Sequence, residues 1–222
     1  MRLFSSLLLS AALVLTAVPA GADSLTDEIK DTYEKITAFR ADFQQRLVHQ
    51  ESGSEQKRNG TLLFKKPMRI CWETFDPDPE LLVVSDLAVW DFLPDEEIAY
   101  KYSPKIVSDS QTILNVITGQ SRLDQDFAIE NEPDENGMAV LRLYPKEPST
   151  QMVEAVIWVD RSDKLLRKVQ VMDFYGNINE VALSHIEPGA AISDDKFIFT
   201  PGQGIEVQDF SGEALPERQL LQ

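Results

Sequence analysis

Two histidines, His49 and His185, are the whole imidazole supply of this 222-residue chain. General-base and metal-ligating work draws on imidazole first. Both residues fall in or beside stretches that alternate as strands, where a surface position accounts for each. Cys71 is the single cysteine, so the chain can form neither an intramolecular disulfide nor a thiolate metal site. Carboxylates are plentiful, but the close pairs Asp76/Asp78 and Asp95/Glu96 sit in turn-forming sequence, where solvated acid is the ordinary reading. "ENEPDENG" (130–137) has the oxygen ligands of a calcium loop without EF-hand spacing, and it ends in a hairpin turn. "GQSRL" (119–123) sets a serine after a glycine, yet Arg122-Leu123 replace the close of a nucleophile elbow. No H-E-x-x-H, P-loop or dinucleotide fingerprint occurs. The expectation is a protein that is not an enzyme, with no catalytic residue, no metal and no cofactor.

What the sequence does carry is apolar bulk at regular spacing. Ser24 and Asp27 give an S-x-x-D start, and Leu25, Ile29, Tyr33, Ile36 and Phe39 recur as the stripe of one amphipathic helix. From Phe39 onward the period changes to two. Strands are expected near 40–49, 56–65, 68–75, 80–85, 88–93, 97–102, 127–132, 138–145, 152–160, 165–174 and 177–186. Turn chemistry separates most of them, and Asn136-Gly137 is the strongest hairpin signal. "SDSQTILNVITGQ" (108–120) reads as a short helix carrying Ile113, Leu114 and Ile117, with Gly119 as its stop, and a further helical turn fits 121–126.

The fold class that follows is mainly β with helices. So many successive antiparallel strands make one strongly curved sheet, because a sheet that large curls or closes. Helices with apolar stripes would cover its concave face. Several same-face pairs are candidates to line that face: Leu62 and Phe64, Ile70 and Trp72, Leu82 and Val84, Trp90 and Phe92, Leu141 and Leu143, Val156 and Trp158, with Phe43 alternating on an earlier strand. Either they fill a core, or they line an apolar cavity under the helices; periodicity does not choose between the two.

The first 22 residues read as a cleaved secretory signal peptide: Arg2, the apolar run Leu3 to Val18, then Ala20-Gly21-Ala22. Without Arg2 the chain carries 20 Lys+Arg against 37 Asp+Glu, a balance of −17. Such a field repels phosphate backbones and anionic lipid surfaces, which makes nucleic acid a poor partner. No cysteine follows the signal, so the mature N-terminus offers no lipid acceptor, and an exported, soluble, unanchored protein is expected.

"GTLLFKKPMRICW", "PDPELLVVSDLAVWDFLPD", "DFYGNINEVAL" and "DKFIFTPGQGIEVQDF" occur in that order, and together they resemble the periplasmic outer-membrane lipoprotein carriers, the LolA family. "GTLLFKKPMRICW" (60–72) looks like its glycine-x-leucine, basic-proline, tryptophan strand pair. "PDPELLVVSDLAVWDFLPD" (77–95) is similar to its valine-rich strand, Ser-Asp turn and tryptophan strand. "DFYGNINEVAL" (173–183) and "DKFIFTPGQGIEVQDF" (195–210) resemble its Asp-x-x-Gly hairpin and its Phe-x-Phe-x-Pro ending. The match runs from about Leu25 to Val207 as a single carrier domain 23–207, followed by an extension 208–222 of unassigned role.

The resemblance implies an unclosed barrel of about eleven strands with helices as a lid over a hydrophobic cavity. It implies a periplasmic monomer that binds acylated lipoproteins, receives them from an inner-membrane lipoprotein-releasing ABC transporter and passes them to an outer-membrane lipoprotein acceptor. It also makes Lys66, where the family usually has arginine, the lid latch that reaches helix carbonyls. A solvated lysine at a strand end is the plainer alternative. Leu87 departs from the glycine expected after Ser85-Asp86. Two other readings stand beside the carrier: a sensor that binds lipidated ligands on the same fold, and a secreted hydrolase with scattered residues.

Overall fold

The computed structural model describes residues 22–108, 112–147 and 149–212. Residues 1–21 of the signal reading and 213–222 of the C-terminal extension lie outside the described residues. Helix α1 (Ala22–Lys35) leads into β1 (Ala38–Val48), β2 (Glu55–Lys65), β3 (Arg69–Asp76), β4 (Glu80–Val84), β5 (Val89–Leu93) and β6 (Ile98–Tyr102). Three short helices follow, α2 (Lys105–Ser108), α3 (Ile113–Ile117) and α4 (Leu123–Asp126). The chain then forms β7 (Phe127–Glu135), β8 (Met138–Pro145), β9 (Glu154–Asp160), β10 (Leu166–Met172), β11 (Ile178–Pro188) and β12 (Glu206–Asp209).

All twelve strands belong to one curved sheet in the order β12-β6-β5-β4-β3-β2-β1-β11-β10-β9-β8-β7. Strands β7 and β12 end it on either side, so the barrel is unclosed. Its concave face, together with the helices, forms one large apolar cluster. Among the described residues no helix is long and apolar enough to cross a membrane.

Local chemistry explains most boundaries. Leu25, Ile29 and Tyr33 of α1 are buried as the stripe requires. The helix ends at Lys35, earlier than a stripe through Phe39 implies, and Phe39 instead pairs with Phe64 of β2. Sheet pairing on both sides of β1 claims the backbone that the stripe would have kept helical. Ser24 lies inside the first turn of α1 rather than ahead of it. Asn136 and Gly137 both take positive φ, 51° and 80°, as a two-residue hairpin turn demands. Leu87 needs no such backbone, because the Ser85 hydroxyl organises its turn: Leu87 N–H and Ala88 N–H both donate to Ser85 Oγ, at 3.4 and 3.3 Å. Gly119 ends the α3 segment at φ 67°.

The twelfth strand goes beyond the eleven expected from the sequence. After β11 the chain crosses the outer face of the sheet as a strap. Gly189 N–H donates to Ala38 O at 2.7 Å, Asp194 pairs with Lys65 and Arg69, and Arg69 lies 5.8 Å from the Phe197 ring centre. Phe199 then packs against Trp90 and Phe92, and β12 adds to β6 in parallel.

Candidate functional site

The concave face is built by register. Phe39, Phe64, Ile70, Val84, Val89 and Tyr102 face one another across six strands, and Ala41, Leu62, Trp72 and Leu82 form the next row. Alternation along each strand sends these side chains to the same side. The Phe43 and Trp72 rings lie 4.1 Å apart, and Phe39 and Phe64 5.3 Å apart. From the other half of the sheet Leu141 and Leu143 join the same cluster, and α3 adds Ile113, Leu114 and Ile117. Thr112 and Asn115 close a capping box that starts α3. In this form the helices and the strands' own aromatic side chains fill the concave space.

Four of the candidate lining residues lie elsewhere. Trp90 and Phe92 are on the outer face under the strap, because Leu82 pairs with Asp91 and Val84 with Val89, which sends Val89 and Asp91 inward. Val156 and Trp158 are also outside, in a separate cluster with Val140 and Met138. Every residue from Ala155 to Val159 is buried, so β9 is apolar on both faces and its sequence carries no alternation to read. Its pairing with Leu141 and Val169 turns Ile157 inward. Trp158 instead donates from Nε1 to Glu135 at 2.8 Å, and Lys168 Nζ lies 3.5 Å from its ring centre.

The lid is tied to the sheet at its C-terminal end. Lys66, in the β2–β3 turn, donates from Nζ to Tyr33 O and Glu34 O, both at 2.9 Å. Those carbonyls are in the last turn of α1, where the helix dipole favours a cation, and the Tyr33 carbonyl also accepts from Ile36 N–H at 3.3 Å. The Lys66 backbone N–H donates to Thr37 O at 2.8 Å.

Tyr33 ties the lid a second time. Its hydroxyl accepts from Leu166 N–H at 3.1 Å, and burial pushes its ionisation up to about 12. Its ring lies against Gly119, where an added Cβ would stand 2.2 Å from Tyr33 Cδ1. Glu28 pairs with Lys164 of the β9–β10 turn. Between α1 and the α3–α4 segment lies a cavity of about 390 Å³, lined by Ile29, Tyr33, Lys66, Val116, Leu123 and Leu166 among others.

The titratable residues weighed in the sequence do not converge. His185, 77% exposed, sits 2.9 Å from Asp42 on the outer face, and His49 lies in the exposed turn after β1. Among the described residues no group of three or more His, Cys, Asp or Glu could hold a metal ion. Cys71 faces outward beneath the strap, and burial, then the charge of Glu73, raise its thiol pKa to about 11.

The family model of the outer membrane lipoprotein carrier protein LolA matches residues 34–200. An outer-membrane lipoprotein carrier protein of Bordetella pertussis is 25% identical over 207 residues, covering 93% of this chain and 96% of that one. One from Methylibium petroleiphilum is 28% identical over 200 residues, covering 89% and 95%. Among solved structures, an uncharacterized conserved protein of Thermus thermophilus shares the fold at a TM-score of 0.54, with 10% identity, covering 84% of this chain and 98% of that one. A LolA superfamily protein of Nitrosomonas europaea aligns at a TM-score of 0.45 with 14% identity, covering 80% and 97%. With its unclosed twelve-stranded sheet, its helical lid and a family match spanning most of its length, the chain belongs to the LolA family of outer membrane lipoprotein carrier proteins.

Proposed function

We propose that this protein is a non-enzymatic periplasmic carrier. It takes up the acyl chains of lipoproteins released from the inner membrane by an ATP-driven transporter and delivers them to an outer-membrane acceptor. The observation that carries the reading is the contact of Lys66 with α1 over an apolar concave face: one ammonium donating to two carbonyls at the end of the helix that covers it. The cavity beside that contact, between α1 and the α3–α4 segment, supports a lid that opens along this seam.

Physical chemistry supports a two-state lid. Burying a methylene stabilises by about 0.8 kcal/mol, so a chain of roughly 16 carbons is worth on the order of 13 kcal/mol. Several such chains buried without cost would exceed the ceiling of about 20 kcal/mol on non-covalent affinity, and the cargo would not leave. Here the incoming chain must displace the apolar side chains of α1 and α3 from the concave cluster, which offsets part of that gain and keeps release possible. Lysine at the latch, a point charge without the fork geometry of arginine, makes the closed state easier to leave.

Mass spectrometry of protein purified from the periplasm tests the reading. Acylated lipoprotein bound to it is the expected result, and depletion should strand outer-membrane lipoproteins at the inner membrane. Protein that is always empty, in cells whose lipoproteins sort normally without it, would contradict the carrier role.

A further inference from the structure

Five adjacent strands each place one polar side chain on the largely apolar concave face, and together these form a belt. They are Asn179 on β11, Gln45 on β1, Arg58 on β2, Thr74 on β3 and Glu80 on β4. The buried Asp91 of β5 lies level with Leu82, one row nearer the Lys66 end. Gln45 is the cross-strand partner of Arg58, and Thr74 that of Glu80. Gln45 Nε2 donates to Asn179 Oδ1 at 3.0 Å, and Arg58 Nη1 donates to Glu80 Oε2 at 2.7 Å. Gln45 and Thr74 are 2% exposed, Asn179 and Glu80 8%. Toward the Lys66 end the same strands turn apolar side chains inward, with Phe43, Leu62, Trp72 and Leu82 nearest the belt.

We propose that this belt is the floor of the chain-binding space and sets the acyl length the protein holds best. The inference rests on the reading of the concave face as an acyl-chain site. Ile70 to Thr74 on β3, at about 3.4 Å per residue, spans about 14 Å, and Phe39 to Gln45 on β1 spans about 20 Å. One leaflet of a membrane, half of a hydrocarbon core about 30 Å thick, is about 15 Å deep. The apolar depth above the belt therefore matches an ordinary membrane chain.

A methylene above the belt exchanges water for apolar contact. One that reaches the belt meets a buried ion pair that cannot be parted without leaving a charge unpaired. It also meets the Trp72 indole N–H and the Thr74 hydroxyl, both buried without a hydrogen-bond partner among the described residues, and hydrocarbon offers neither of them one. On the other half of the face α3 packs against β10, and its Ile113 and Leu114 reach the height of Asn179 and Val171.

The test is a binding series with single-chain fluorescent alkyl amides of increasing length, on the wild-type protein and on an Arg58→Met/Glu80→Leu double variant. In the wild type, affinity should climb about fourfold per methylene and then stop climbing near the length of ordinary membrane chains. The double variant should move that break to longer chains, and a Gln45→Leu/Asn179→Leu variant does the same job from the other end of the belt. A wild-type climb with no break through the longest probe overturns the floor, as does a break that stays put in every folded variant. Failure of all probes to bind any protein in the series would instead strike the acyl-chain reading itself, and the floor with it.

Discussion

An ammonium donating to two carbonyls at a helix C-terminus is the contact on which the proposed two-state lid turns. Charge-assisted hydrogen bonds of this kind contribute about 1.5–3 kcal/mol when well shielded, and Lys66 is only partly buried, so about 2 kcal/mol is a fair total. Lys66→Leu should raise the opening equilibrium of α1 roughly 30-fold, read as faster amide exchange in α1, while Lys66→Arg should slow it. Exchange in α1 that ignores both substitutions would remove Lys66 from the mechanism.

Cys71 gives a second residue-scale test. An acid whose pKa rises on folding contributes stability that is complete below its unfolded value and lost as pH climbs through the folded one. The Cys71 contribution is therefore full below about 9 and disappears toward about 11. Alkylation of the native thiol at pH 8 should run at least roughly 100-fold slower than in the unfolded chain, and Cys71→Ser should flatten the alkaline fall in stability. Rapid native labelling would show that the strap does not cover this strand. Lys66 is legible only through its motif, since the lysine alone equally fits a solvated strand end. The inward expectation for Trp90 and Phe92 fails because their alternation is real but its phase depends on the pairing of β4 with β5.

Among the elements, α1 depends on α3 as well as on the sheet. Gly119 combines a left-handed φ of 67° with the ring of Tyr33 where a side chain would go. Gly119→Ala should cost at least about 1–2 kcal/mol from the backbone alone. The displaced Tyr33 ring should also loosen its bond to Leu166, visible as a lower Tm and as faster exchange in α1. A neutral effect would mean that α1 and α3 move independently. Eleven strands and the α3 segment are legible because apolar runs, the alternation within most of them, Asn136-Gly137 and Gly119 are local signals, β9 being legible as an apolar run alone. The twelfth is not: β12 is short, follows a strap without periodicity and is specified by its parallel pairing with β6 and the Lys101–Asp209 ion pair. Phe197 and Phe199 could have announced the strap, since two aromatics beside Pro201 need a surface to cover.

At the scale of the molecule, a curved sheet leaves its concave side to be filled either by its own helices or by a ligand, and in the proposed carrier movement of the lid converts one state into the other. Periodicity does not separate a core from a cavity on that face, because both need the same buried rows. The structure shows the filled state, with α1 held at Lys66, at Leu166 and at the Glu28–Lys164 pair. The central claim is that this closed form must open before hydrocarbon can enter. A Glu28→Cys/Lys164→Cys variant in a Cys71→Ser background, bridged through two disulfides by a short dithiol, would hold α1 against the β9–β10 turn. Uptake of a long-chain fluorescent alkyl amide, measured before and after reduction, should be lost in the bridged protein and restored when the bridge is cleaved; bridged protein that binds the probe as well as the reduced form would contradict the account.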